Sequence, residues 1–242
     1  MRLPAPEQFD AEVERRVTAR TADLRELLGH LATCWDDERR QLARQLHDSL
    51  GSSMTALTMH LSLLNQQMPS EPALQHRTAQ MKTLLMNIIN TNRDMQSRIW
   101  NDKLEFLGVR AALTELVAQF GAEHQIDAGI SLPEEDASYG REHGVALLRT
   151  LEEGLRNVLQ HASASRVDVI LDDNDDEIML TVRDNGIGPG KVDQQARHCH
   201  GLRLLAARAQ HLGGSMMVAP APERGTALTV ILPRQAVAET VG

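Results

Sequence analysis

Aromatic residues make up only 2 % of this 242-residue chain: three Phe, two Trp and one Tyr. Its interior must therefore be aliphatic, built from Leu, Val, Ile, Ala and Met, which suits helix bundles. Cysteine is scarce too. Cys34 and Cys199 lie far apart without zinc or redox spacing, which excludes a disulfide framework and reads as two free thiols. Positive charge is in deficit: the net charge of −8 argues against a nucleic-acid partner, which needs a basic patch. No run reaches the roughly 18 apolar residues of a membrane span, and the N-terminus has no signal-peptide core. The expectation is a soluble, cytoplasmic chain that meets a membrane only through some upstream segment. What remains, 42 % hydrophobic and 24 % charged residues, is ordinary globular composition.

Proline and glycine are also missing where a helix needs them to be. From about Asp10 to Met68 only Gly29 and Gly51 interrupt. Leu24, Leu28, Leu31, Trp35, Glu38 and Leu42 step by four and three, the seam of a coiled coil. Leu50, Met54, Leu57, Leu61, Leu64 and Met68 repeat the rule, and Leu42, Leu46, Leu50 between them form a stutter. His47 lies in that stutter. The segment Met68-Pro69-Ser70-Glu71-Pro72 predicts a turn. A second helix then carries Thr78, Met81, Leu85, Ile88, Asn92, Met95 and Ile99 on one face. Such a hairpin buries one face only partly, and two hairpins pair into a four-helix bundle, so a homodimer is expected. Beyond Leu107 the pattern changes. A helix near 109–120, a strand at 126–132 and a helix over 139–161 precede strands at 166–171 and 177–183. A helix near 202–212 and strands at 215–218 and 226–232 follow. The expected fold is α plus α/β: a long-helix hairpin forming a dimeric bundle, then a two-layer α/β sandwich.

Four constellations carry chemistry. The first is Glu38-Arg39-Arg40 leading to His47-Asp48-Ser49-Leu50-Gly51. A neutral imidazole can attack phosphorus, and a neighbouring carboxylate can orient the ring and take the released proton. Alone, the pair is equally an ordinary surface histidine beside an acid. The second is Glu153 and Asn157, four apart on one helical face, with His161 a turn further. An amide oxygen there suits Mg²⁺, although any amphipathic helix could show the same pattern. The third is Asp184-Asn185-Gly186-Ile187-Gly188-Pro189-Gly190 after a strand. It combines an acceptor for an exocyclic amine with backbone free to approach a ligand, or is simply a tight turn. The fourth is His200-Gly201-Leu202, a helix start whose free N–H groups can receive phosphate. Gly225-Thr226 opens the last strand. His198-Cys199-His200 is not a metal site, because three adjacent side chains cannot converge on one ion.

In this order the motifs resemble those of a sensor histidine kinase from about Asp37 to Pro233, in the subfamily of nitrate/nitrite sensors. The ATP-binding part is similar to the superfamily shared with gyrase, MutL and the large heat-shock ATPases. The resemblance implies domains at 1–36 (coiled-coil signalling helix), 37–107 (dimerisation and phosphotransfer), 108–235 (ATP-binding) and 236–242 (a flexible tail). It implies that His47 is autophosphorylated from Mg·ATP, that Asp48 is its acid/base partner, and that a response-regulator aspartate receives the phosphoryl group. Asn157 would hold Mg²⁺ with Glu153 supporting it, and His161 would lie near the phosphates. Asp184 would bind the adenine amine, with Gly186 and Gly188 letting the backbone approach. Gly201 and Leu202 would cradle phosphate, Thr226 would add an adenine-side contact, and 189–199 would form a lid. The alternatives are an ATP-binding dimeric pseudokinase scaffold and an ATPase of the MutL or gyrase type. Two positions depart from the family pattern: Ser52 stands where a phosphatase glutamine is common, and Gln160 where a lysine is common.

Overall fold

Proline placement sets the helix boundaries. In the computed structural model, which describes residues 6–67, 72–133, 139–174, 176–189 and 200–234, α1 runs Pro6–Gln67 and α2 runs Pro72–Ile99. Each begins at a proline, whose fixed φ and missing N–H are harmless in a first helical turn. The turn expected at 68–72 falls largely outside the described residues, as do most of the lid at 189–199 and the tail at 236–242. The chain separates into two compact units: Cys34–Asp102, and Met1–Thr33 together with Lys103–Gly242.

The first unit is the helical hairpin. Of its seam residues, Leu61 and Leu85 are buried, whereas Leu57, Leu64, Met81, Ile88 and Met95 are exposed. A hydrogen bond of 3.3 Å from Thr78 Oγ1 to Asn65 Oδ1 ties the two helices near the turn end. Leu42 is exposed as well, although the heptad rule assigns it to a core.

The second unit holds a five-stranded sheet in the order β1-β2-β3-β5-β4: Asp127–Ser131, Arg166–Asp173, Glu177–Asp184, Thr226–Pro233 and Ser215–Pro220 respectively. β1 and β2 are parallel; the other pairs are antiparallel. Helices α4 (Gly108–His124), α5 (Arg141–Asn157) and α6 (His200–His211) supply the second layer. Alternation decides which side of each strand meets them. Val167, Val169 and Leu171 of β2, Ile178, Leu180 and Val182 of β3, and Leu228, Val230 and Leu232 of β5 are all buried. Leu113, Leu147 and Leu151 face them as fully buried helix residues. A five-residue helix α3 occupies Asp102–Phe106, and Leu104 already packs on this core.

The N-terminal part of α1 belongs to this second unit and lies on α6. A Cβ at Gly29 would come within 2.6 Å of the His211 Cβ, so the two helices approach as only glycine permits. The His30 and His211 rings meet edge-to-face at 4.4 Å.

Candidate functional site

The candidate residues of the second unit gather because α5, β3, β5 and α6 converge at one end of the sheet. Asp184 is the next inward-facing position after Ile178, Leu180 and Val182, so a carboxylate ends an apolar row. It is only 7 % exposed. One of its oxygens, Oδ1, accepts a 2.8 Å hydrogen bond from the Gly186 backbone N–H. On the facing helix, a Cβ at Gly154 would sit 2.9 Å from Val182 Cγ1, which brings α5 down onto β3.

A cavity of about 410 Å³ opens between these elements. Glu153, Asn157, His161, Asp184, Gly188, Leu202 and Thr226 line it, against an apolar wall that includes Val158, Val182, Ile187, Val218 and Leu228. Volume and lining suit a flat, mostly apolar ring held by few polar groups. Asn157 ends α5, and Val158–Ala162 continue as a π-helical turn bearing His161. Helical spacing alone places Glu153 and Asn157 together; the wider turn keeps His161 on the same cavity. The buried Glu153 carboxylate forms an ion pair with Arg156.

Gly186 and Gly201 stand behind the lining. A Cβ at Gly201 would collide with the Glu153 carboxylate, and one at Gly186 with the Ala162 carbonyl. That carbonyl accepts the Ile187 N–H at 2.9 Å. Gly186→Ala should therefore displace the 184–189 segment, costing about 1–3 kcal/mol of stability and several degrees of melting temperature by calorimetry. An unchanged midpoint would show slack in that segment.

Several residues with supporting roles escaped the sequence reading. Asn185 Oδ1 accepts the backbone N–H groups of Ser165 and Arg166, both at 3.0 Å, and its amide donates to Ser165 Oγ. The Asp-Asn-Gly stretch is thus a clamp between two loops as well as a turn. Gly225, at φ +101°, brings the start of β5 against the Asp184 carbonyl, where a side chain would clash. Arg224 Nε donates to the Gly186 carbonyl at 3.0 Å. The only sequence signal for these was a glycine or asparagine at a strand end.

His47 and Asp48 belong to the helical unit, where they line a separate groove of about 720 Å³ with Gly51, Ser52, Arg93 and Gln96. No hydrogen bond joins His47 to Asp48. Its partner is Gln96 of α2, with Nδ1 and Oε1 3.4 Å apart. Ser52 Oγ donates back to the Asp48 carbonyl at 2.6 Å, so its hydroxyl is engaged with its own helix. Among the described residues, no helix is long and apolar enough to cross a membrane, and no cluster of His, Cys, Asp or Glu could hold a metal ion.

Two family models match the chain. Residues 38–100 match "Histidine kinase", and residues 142–236 match "Histidine kinase-, DNA gyrase B-, and HSP90-like ATPase". The sensor histidine kinase LiaS of Bacillus subtilis is 30 % identical over 232 residues, covering 92 % of this chain and 63 % of that protein. The nitrate/nitrite sensor protein NarX of Escherichia coli is 27 % identical over 197 residues, 80 % of this chain and 32 % of NarX. The chain thus spans from about 32 % to 63 % of the length of these relatives. A histidine kinase domain from an Erythrobacter litoralis blue-light activated kinase aligns at TM-score 0.48 and 18 % identity, over 82 % of this chain and 94 % of that one. The chain thus carries a histidine-kinase region and an ATPase-type region in the order their motifs run, and is similar to sensor histidine kinases that include a nitrate/nitrite sensor.

Proposed function

We propose that this chain is the catalytic core of a sensor histidine kinase, taking the γ-phosphoryl group of ATP onto His47 and passing it to a receiver-domain aspartate. One observation carries the reading: residues from four separate stretches, singled out for nucleotide chemistry, converge on one cavity of about 410 Å³. Asp184 has one oxygen committed to Gly186, which leaves the other to accept the adenine amine. Gly188, at φ +88°, allows backbone approach beside it. Leu202 at the start of α6 and Thr226 complete the enclosure. Gly186 and Gly201 act by close packing that shapes the pocket.

Mg²⁺ fits this donor set. The described residues offer no cage of their own, and Asn157 with the nearby Glu153 supplies the partial set of oxygens expected for an ion arriving on phosphates. The ion would neutralise phosphate charge. The protein's share is positioning, which dominates phosphoryl transfer.

The exposed seams, among them Leu57, Leu64, Met81 and Ile88, favour a homodimer closing a four-helix bundle. The regulator would dock on the bundle near His47, including Ser53 and Met54. Incubation with γ-labelled ATP and Mg²⁺ tests the kinase reading. Protein-bound label that is acid-labile and base-stable is expected, since a phosphoramidate P–N bond has that stability. Absence of such label from a chain that binds ATP would instead favour the pseudokinase scaffold.

A further inference from the structure

Gln96 is a buried polar side chain of the helical unit. It is 5 % exposed, it lies on α2, and it reaches the one titratable ring of the groove, His47 on α1. Its amide oxygen stands 3.4 Å from His47 Nδ1. A buried carbonyl left without a donor costs stability, so the pairing demands a proton on the ring nitrogen that faces it. An amide oxygen has no proton to give. The ring must therefore donate, and in a neutral imidazole a proton on Nδ1 leaves Nε2 with the free lone pair.

We infer that Gln96 is a positioning residue for phosphotransfer: it holds His47 in the Nδ1–H tautomer and leaves Nε2 as the nucleophile. The inference rests on His47 being the phosphoacceptor. The Nε2 lone pair forms the new bond to Pγ, and the bond from Pγ to the bridging oxygen breaks, its electron pair leaving with ADP. The ring then carries phosphorus on Nε2 and hydrogen on Nδ1. Gln96 can hold that proton in a hydrogen bond but cannot take it, so it passes to water or to the Asp48 carboxylate lining the same groove. Neutrality of the amide matters equally. A carboxylate at position 96 would favour imidazolium and tie up the lone pair at neutral pH. The charged groups that already line the groove are Asp48 from α1 and Arg93 from α2.

The decisive measurement is the ¹⁵N spectrum of the His47 ring in the full, unphosphorylated chain, followed through its titration. In its neutral form the ring is expected to show a pyrrole-type Nδ1 and a pyridine-type Nε2. Gln96→Leu should release this preference, moving the ring towards the Nε2–H form and slowing autophosphorylation by roughly three- to tenfold, the worth of one lost hydrogen bond. Gln96→Glu should keep the Nδ1–H tautomer while shifting the autophosphorylation pH profile to higher pH, an effect that a merely structural residue would not produce. A pyridine-type Nδ1 in the unaltered chain would overturn the inference, because Gln96 would then be the donor. So would a tautomer unchanged in Gln96→Leu. Label retained by His47→Gln would overturn the phosphoacceptor assignment instead, while the ring spectrum would still report on Gln96.

Discussion

His47→Gln should reduce protein-bound label from γ-labelled ATP to background while leaving ATP affinity within about twofold of its original value. The two readouts separate because His47 lies in the Cys34–Asp102 unit, whereas every residue lining the nucleotide-sized cavity lies in the other. Glutamine is close to histidine in size and is polar, but its amide nitrogen has no basic lone pair to attack phosphorus. The groove, with Gln96 on its far helix, can accept the new side chain without repacking a core, since position 47 is exposed. Loss of a nucleophile is not a graded effect: with no competing group, transfer stops. Two other histidines of this unit, His60 and His76, are the places to look if label persists, and persistence would show that the stutter histidine is not the acceptor.

How much of this was legible in the sequence depends on the distance over which each feature is encoded. Asp184 could be read because its surroundings are local: it ends an alternating strand, and the period of two assigns it to the buried face. Glu153 and Asn157 could be read for the same reason, through a helical period. The π-helical turn that keeps His161 on the cavity has no such local signal. Gln96 was invisible. It sits on α2 one place past the seam residue Met95, and its meaning lies in a ring 49 positions away. Gly29 looked like an interruption of a long helix, yet it permits the close approach of His211, far along the chain. Asn185 shows the limit from another side. Its residue type predicts a turn correctly, but the two backbone N–H groups it holds belong to Ser165 and Arg166, which no spacing rule connects to it.

Asp184→Asn should weaken ATP binding by ten- to a hundredfold, the loss of a charge-assisted hydrogen bond of ~1.5–3 kcal/mol. Asparagine is the informative choice because, on the proposed reading, the carboxylate would have two jobs. Its Oδ1 accepts the Gly186 N–H, and an asparagine oxygen can do the same, so the 184–189 segment keeps its anchor. What changes is the second edge, where an acceptor becomes an N–H₂ donor. An adenine amine facing that edge then meets a donor instead of an acceptor. The same inversion should favour a base carrying a carbonyl in place of the amine, so the preference for ATP over ITP should narrow or reverse. Calorimetric titration with both nucleotides, beside a melting curve to confirm that the fold is intact, reads all of this together. Unchanged affinity for ATP with an unchanged nucleotide preference would remove Asp184 from the base contact and leave it only as the anchor of Gly186.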